Sequence, residues 1–274
     1  MDTRRKDKYQ KSIGKRNQKR AKPMDENRKF KIQIWQQTIQ QSNKYYSDVP
    51  ESTLISVDEY EIELPIKNDR VAIIEVLNID SFNMAINYVQ QNLNPCVLNM
   101  ASEFKPGGGV RSGSSAQEEE LFRRSNALLT HPEEWYNLGN FNIIYSPEIT
   151  IFRDDISNNY EFLDDPIECS MLAVPAVRHP RINKHGKYND DDEYLMRLKI
   201  EAIFKVAIQQ GNDSLVLGAL GCGAFGNPPE LVAQIFKEYL DIYKYYFKKI
   251  GFAILVVKES DQQNLDIFKN IILN

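Results

Sequence analysis

NMASEFKPGGG at residues 99–109, the spacer VRSGSSA at 110–116 and QEEELFRRS at 117–125 form the stretch on which the reading of this chain turns. An apolar strand, Cys96 to Met100, runs through Lys105 and Pro106 into three glycines. Helical spacing then resumes from Ala116 to Leu129, with Glu118, Glu119 and Glu120 in the first turn, where the helix dipole favours negative charge. Glycine at such a place permits positive φ and close backbone approach. The N–H groups of a strand-to-helix loop can face a phosphate. Taken alone, the triplet also fits a flexible loop, and the glutamates fit solvated charge.

A second loop of the same kind strengthens the phosphate reading. Ser214 to Leu220 is a continuous apolar strand that leads into Gly221, Cys222, Gly223, Ala224, Phe225, Gly226 and Asn227, and Pro228 and Pro229 then start a helix through Tyr243. Two such loops point to a nucleotide diphosphate ligand. Neither has the GxxxxGKS/T pattern of a P-loop, and no GxGxxG opens a βαβ unit. The three histidines, His131, His179 and His185, form no HExxH. The three cysteines, Cys96, Cys169 and Cys222, are widely separated and odd in number, so neither a disulfide framework nor a CxxC metal site is indicated. No metal and no cofactor is expected, and hydrolysis would rest on carboxylates. Cys222 has no neighbouring histidine and reads as a small loop residue, not a nucleophile.

Outward from these loops, the chain alternates strands and helices. Phe30, Ile34, Trp35, Thr38 and Ile39 make an amphipathic helix ending near Asn43. Strands are expected at Leu54 to Leu64, Val71 to Leu77, Phe141 to Tyr145, Glu148 to Phe152, Met171 to Val174 and Phe252 to Val257. Helices are expected from Asp80 through Tyr88 and from Tyr194 to Gln209, with an exposed loop from Arg178 to Glu193. The fold class is therefore α/β, with a mixed or parallel sheet covered on both faces. The 274 residues suffice for one such domain, 28–274. Residues 1–27 are a basic tail, read as a targeting segment, a weak polyanion-binding arm or a solvated disordered arm. No apolar run reaches the length of a membrane span and no signal-peptide core is present, so an intracellular protein, cytoplasmic or nuclear, is expected.

The GGG triplet, seven residues, Gln-Glu-Glu and then Leu121, Arg123 and Ser125 closely resemble the signature of microbial-type poly(ADP-ribose) glycohydrolases, a branch of the macrodomain superfamily. Glu75 to Asp80, Tyr145 to Asp155 and Leu215 to Pro229 look like further blocks of that family in the same order. The resemblance implies a three-layer α/β/α macrodomain-like fold with a central mixed sheet and an N-terminal helical extension. It also implies hydrolysis of the ribose–ribose bonds of poly(ADP-ribose) by a monomeric enzyme. A mono-ADP-ribosyl-protein hydrolase and a non-catalytic ADP-ribose reader are the alternatives.

By the same resemblance Glu119 is the catalytic acid and Glu118 orients the ribose. A carboxyl group suits the chemistry, because an oxocarbenium-like state needs a proton delivered to the departing oxygen. Asn99 matches the asparagine that contacts the distal ribose, and Asp80 the acid that reads the adenine amino group, although a helix N-cap explains Asp80 equally well. Ala101, Gly107, Gly108, Gly109, Val110 and Gln117 are implied on the first side of the ligand. Residues 221–227 are implied on the second, with Phe225 against the ligand. Glu103 and Phe104 depart from the family's usual small residues and narrow the site. The segment from Val174 to Asp192 matches poorly. Its Arg178, Arg181, Lys184, His185 and Lys187 form a basic cluster, read as a solvated loop or a contact to polymer.

Overall fold

The computed structural model describes residues 25–274, so all but the last three residues of the basic tail lie outside the described residues. A seven-stranded sheet is built from β1 (Thr53–Ser56), β2 (Ile73–Leu77), β3 (Pro95–Asn99), β4 (Asn142–Arg153), β5 (Phe162–Ala173), β6 (Ser214–Leu217) and β7 (Lys249–Ala253), in the order β1-β4-β5-β3-β6-β7-β2. The strands from β5 across to β2 are parallel, whereas β1, β4 and β5 pair antiparallel. The mixed sheet is covered on both faces. Successive strand side chains alternate between two cores. Cys96, Leu98, Leu215 and Leu217 meet helices α4 (Asp190–Gln209), α5 (Pro229–Tyr243) and α6 (Glu259–Leu273). Val97 and Val216 meet α1 (Glu26–Tyr45), α2 (Ser81–Gln90) and α3 (Gln117–Arg124). Because β2, β3, β5 and β6 are parallel, the loops that follow them gather at one end of the sheet, where open α/β sheets place their ligands.

Several elements differ from the sequence expectation, each for a physical reason. The strand expected over Leu54 to Leu64 stops at Ser56, because as the edge strand it has only Asn142 to Tyr145 to pair with. The two short strands around Ser146-Pro147 are one, β4, whose register against β5 shifts between Ser146 and Ile149. Proline has no N–H to give the ladder there. β5 begins nine residues before Met171, its first half hidden in the sequence by Asp164, Asp165, Pro166 and Glu168. The helix expected through Leu129 ends at Arg124, and a 3-10 turn follows at Ala127–Thr130. β7 starts earlier than expected and ends at Ala253. α6 was not expected, although its buried Leu265, Phe268 and Ile272 recur at helical spacing. Among the described residues, no helix is long and apolar enough to cross a membrane.

The N-terminal helix α1 begins at Glu26, capped by Asp25, and braces the segment between the glycine triplet and α3. Arg28 Nε donates to Ser112 O (2.5 Å), Lys31 Nζ donates to Ser115 Oγ (2.6 Å), and Thr38 Oγ1 donates to Arg123 O (2.7 Å). Arg123 reaches Ser114 O from the other side. Gly113, at φ +76°, is pressed on Arg28, whose carbonyl oxygen lies 2.6 Å from where a Cβ would stand. Lys31 is buried and also pairs with Glu120 at 3.4 Å. Removing it takes one partner from the Ser115 hydroxyl and leaves part of the charge of the largely buried Glu120 carboxylate uncompensated. Lys31→Ala is therefore expected to cost about 1–3 kcal/mol of stability, measured by urea unfolding. An unchanged midpoint would mean that the brace is ornamental.

Candidate active site

The three consecutive glutamates of the first turn of α3 go three different ways, as residues about 100° apart on a helix must. Glu119 is the third helical residue and serves as half of a capping box: its Oε2 accepts from the N-cap Ala116 N–H at 2.7 Å. Ala116 has no side-chain oxygen to reciprocate. The other oxygen, Oε1, accepts from Gly109 N–H at 2.7 Å. Glu120 faces away, held by Arg123 (2.9 Å), Lys31 and the hydroxyl of Tyr160 (2.6 Å). Burial pushes its carboxyl up, but the hydrogen bond and charge of Arg123 outweigh that and hold it below the usual carboxylate range. Glu120 is a structural ion-pair residue, held among Arg123, Lys31 and Tyr160 and not left as solvated charge at the helix start.

Glu118 turns inward, with Oε2 accepting from Ser102 N–H at 2.8 Å. Its burial is the main cause that raises its carboxyl to about 8. The Ser102 N–H opposes the shift, the Glu119 charge adds to it, and the Asn99 amide and Gly107 N–H again oppose it. A raised carboxyl means that, between about pH 4.5 and 8, the folded protein holds a proton that the unfolded chain has released. Stability should fall as pH rises through that window, by an amount on the order of a few kcal/mol. Glu118→Gln should flatten the slope. Urea titrations at pH 5, 6.5 and 8 read this directly, and an equal slope in both proteins would show that Glu118 is not the buried acid.

The glycine triplet is shaped to this pair of carboxylates. A Cβ on Gly108, at φ +51°, would stand 2.7 Å from Glu118 Oε2 and 2.8 Å from Glu119 Oε1. Gly107, at φ +68°, leaves the same kind of gap for the Phe122 ring. The N–H groups of the triplet are accordingly turned inward: Gly109 to Glu119, Gly108 to Lys105 O (3.3 Å) and Gly107 toward Glu118. They set the carboxylates, because a tight turn with two left-handed residues folds its amides back over the helix start. Val110 and Ala101 are fully buried, their N–H groups given to Gly107 O and Val174 O.

Eight buried side-chain polar atoms lack a partner among the described residues, and half of them belong to Asn99, Glu118 and Tyr136. Asn99 Oδ1 and Nδ2, Glu118 Oε1 and the Tyr136 hydroxyl are all buried without a hydrogen bond of good geometry, although the Asn99 amide and the Gly107 N–H are close enough to Glu118 to lower its carboxyl. Burial raises the Tyr136 hydroxyl, and the charge of Glu118 beside it raises it further. Unpaired polar groups cost on the order of 1–3 kcal/mol each. They are concentrated beside Glu119, where several donors and acceptors remain available to a ligand.

The second loop is built the other way, with its backbone N–H groups outward. Gly223 and Ala224 are exposed, and among the described residues nothing accepts from the N–H of Gly223, Ala224 or Phe225. Gly221 (φ +73°) packs on Asn227, whose amide donates to Val177 O (2.7 Å) and Gly221 O (3.2 Å) and accepts from the Tyr188 hydroxyl (2.9 Å). Asn227 is the rivet of the loop. Cys222 sits with its thiol toward Leu220 O, and burial pushes that thiol up, away from nucleophilic use.

The sequence matches the family model of the microbial-type PARG catalytic domain over residues 17–154. The chain belongs to that family. No curated protein matches it. Among solved structures, poly(ADP-ribose) glycohydrolase from Thermomonospora curvata superposes with a TM-score of 0.77 at 23% identity, over 89% of this chain and 99% of the other. The same enzyme bound to the inhibitor ADP-HPD gives 0.74 at 24%, over the same shares of the two chains. The enzyme from Deinococcus radiodurans in complex with ADP-ribose gives 0.67 at 26%, over 81% of this chain and 94% of the other. The fold is thus macrodomain-like.

Within this PARG-family frame the remaining residues fall into place. Asp80 is the N-cap of α2, with Oδ1 accepting from Phe82 N–H (2.8 Å) and Asn83 N–H (3.2 Å) and pairing with buried Arg124 (2.5 Å). All three contacts use Oδ1 and none uses Oδ2. Gln117 has spent its amide on the protein: Oε1 accepts from Met100 N–H, and Nε2 donates to Ser81 Oγ and Leu98 O. It fastens α3 to the ends of β3 and α2 and has no hydrogen left to donate to a ligand. The Leu121, Arg123 and Ser125 pattern is likewise structural, supplying core, loop tie and a hydroxyl bond to Leu121 O. Sequence reasoning missed Tyr136, which sits after a short 3-10 turn (Glu133–Trp135) and gives no motif to read. Among the described residues, no group of three or more His, Cys, Asp or Glu side chains is placed to hold a metal ion.

Proposed function

We infer that this PARG-family chain hydrolyses the ribose–ribose glycosidic bond of poly(ADP-ribose) and releases ADP-ribose. The observation that carries the reading is the set of unpaired atoms on Asn99, Glu118 and Tyr136 beside Glu119. The distal ribose hydroxyls fit those atoms, the diphosphate fits the free N–H groups of Gly223, Ala224 and Phe225, and the adenine amino group fits Asp80 Oδ2. Glu118 enters the reaction carrying a proton that its burial favours, and that proton reaches the leaving group by way of Glu119. Glu119 delivers a proton to the departing ribose oxygen as the C1–O bond breaks. Water then attacks the oxocarbenium-like carbon and returns a proton to Glu119.

The test is to incubate purified protein with automodified poly(ADP-ribosyl)ated protein, and separately with serine-, arginine- and glutamate-linked mono-ADP-ribose. Free ADP-ribose released from polymer is the expected result. Polymer left intact while a mono-linked substrate is cleared would reassign the leaving group. No release from any substrate, with ADP-ribose still bound, would make the protein a reader.

A further inference from the structure

The loops after β3, β5 and β6 meet at one exposed side chain, Arg178. Its guanidinium lies 5.3 Å from the centre of the Phe104 ring and 5.5 Å from that of Phe225, with a weak 4.0 Å contact to Glu103. Two aromatic faces hold the guanidinium in place, a contact worth about 0.5–1 kcal/mol at an exposed site. Arg178 donates no hydrogen bond to any described residue, so its fork of donors is open to solvent. The neighbouring backbone is fixed: His179 N–H donates to Phe225 O at 2.8 Å, and Val177 O takes the Asn227 amide. From the inner side, buried Lys199 faces Glu103, so that Glu103 lies between two cations and cannot neutralise either fully. The other cations of this segment are placed differently. Arg181 is paired with Asp191 and Asp192, and Lys184, His185 and Lys187 stand on the exposed turn between.

The short segment Ser102-Glu103-Phe104 separates the two features. On its inner side Ser102 holds Glu118. On its outer side Glu103 and Phe104 hold Arg178. The guanidinium is thus separated from the carboxylates by one three-residue segment, and it meets a leaving group that departs over that segment. In poly(ADP-ribose) that group is another ADP-ribose unit with an anionic diphosphate. In a mono-linked substrate it is an amino-acid side chain. Guanidinium is the side chain best matched to a phosphate in both shape and charge.

We propose that Arg178, held between Phe104 and Phe225, reads the diphosphate of the leaving ADP-ribose unit and so favours polymer over mono-linked substrates. The proposal rests on the glycohydrolase reading above. The experiment compares wild type, Arg178→Ala and Arg178→Lys on polymer and on a serine-linked mono-ADP-ribosyl peptide. Arg178→Ala is expected to lose about tenfold more kcat/KM on polymer than on peptide, chiefly through KM. The difference should shrink at 0.5 M salt, since exposed charge pairs are screened. Arg178→Lys should recover part of it. Equal losses on both substrates would place Arg178 on the bound ADP-ribose itself and overturn the proposal, as would no loss on polymer. A wild type that cleaves neither substrate would refute the glycohydrolase reading alone. In that case, and as a second arm in any case, binding is measured in the Glu119→Gln background. There Arg178→Ala should weaken polymer binding about tenfold more than binding of free ADP-ribose, and equal weakening, or none, overturns the proposal.

Discussion

Glu119→Gln is expected to lower kcat by a factor on the order of 10² or more while leaving ADP-ribose affinity within a few-fold of the parent. The amide cannot deliver a proton, yet its carbonyl can still accept from Gly109 N–H, as Glu119 Oε1 does at 2.7 Å. The other end of the amide would point two hydrogens at the Ala116 N–H, where Oε2 now accepts. A modest loss of stability, about 1 kcal/mol, should therefore accompany the lost turnover. Glu118→Gln is the informative companion. Glu118 is the carboxyl that burial raises to about 8, so its variant should lose less turnover, about tenfold, and should move the alkaline limb of the pH–rate profile. If Glu118→Gln proves the dead variant and Glu119→Gln keeps its rate, the two roles are reversed.

Gly108→Ala should be nearly as damaging with no change of charge. Its Cβ would fall within 2.8 Å of an oxygen on each of Glu118 and Glu119, at a backbone φ of +51° that L side chains rarely adopt. Both carboxylates would be displaced, and an error of about 1 Å in a reacting group can cost on the order of 10² in rate. Unfavourable backbone conformation adds about 1–2 kcal/mol to the loss of stability. The control is Gly211→Ala, at φ +72° in the turn between α4 and β6, where a Cβ would meet nothing within 4 Å. It carries the same kind of strain far from the carboxylates. Steady-state kinetics beside thermal melts separate the cases: both variants should melt early and only Gly108→Ala should lose turnover. Equal activities would show that the triplet is merely a hinge.

The ends of the parallel strands and the two glycine loops were legible in the sequence because glycine and apolar runs are local signals. Asn99, Glu118 and Glu119 stood out through the family resemblance of the motif around those glycines. The direction in which each glutamate points was not legible, since it depends on Ser102, Lys31 and Tyr160, residues 16, 89 and 40 positions away from their partners. The same limit explains Gln117 and Gly107 to Gly109. Their motif names no partners, whereas the structure has Gln117 fasten α3 to Met100 and Leu98 and Gly109 give its N–H to Glu119. Tyr136 was invisible for the opposite reason. It reaches the site through the packing of Trp135 and Leu138 around Ala101, a contact with no pattern in the chain.

The brace from α1 carries a consequence for how the protein is made. Arg28 and Lys31 meet their partners 84 residues further along. During synthesis at about 5–20 residues per second, α1 emerges roughly 4–17 s before the serines it grips exist. In that interval Ile34, Trp35 and Thr38, all buried in the finished protein, have no surface of their own to cover them. The face of α1 thus stays uncovered through that interval, and slowing the ribosome between residues 45 and 112 would lengthen the exposure and lower the yield of folded protein.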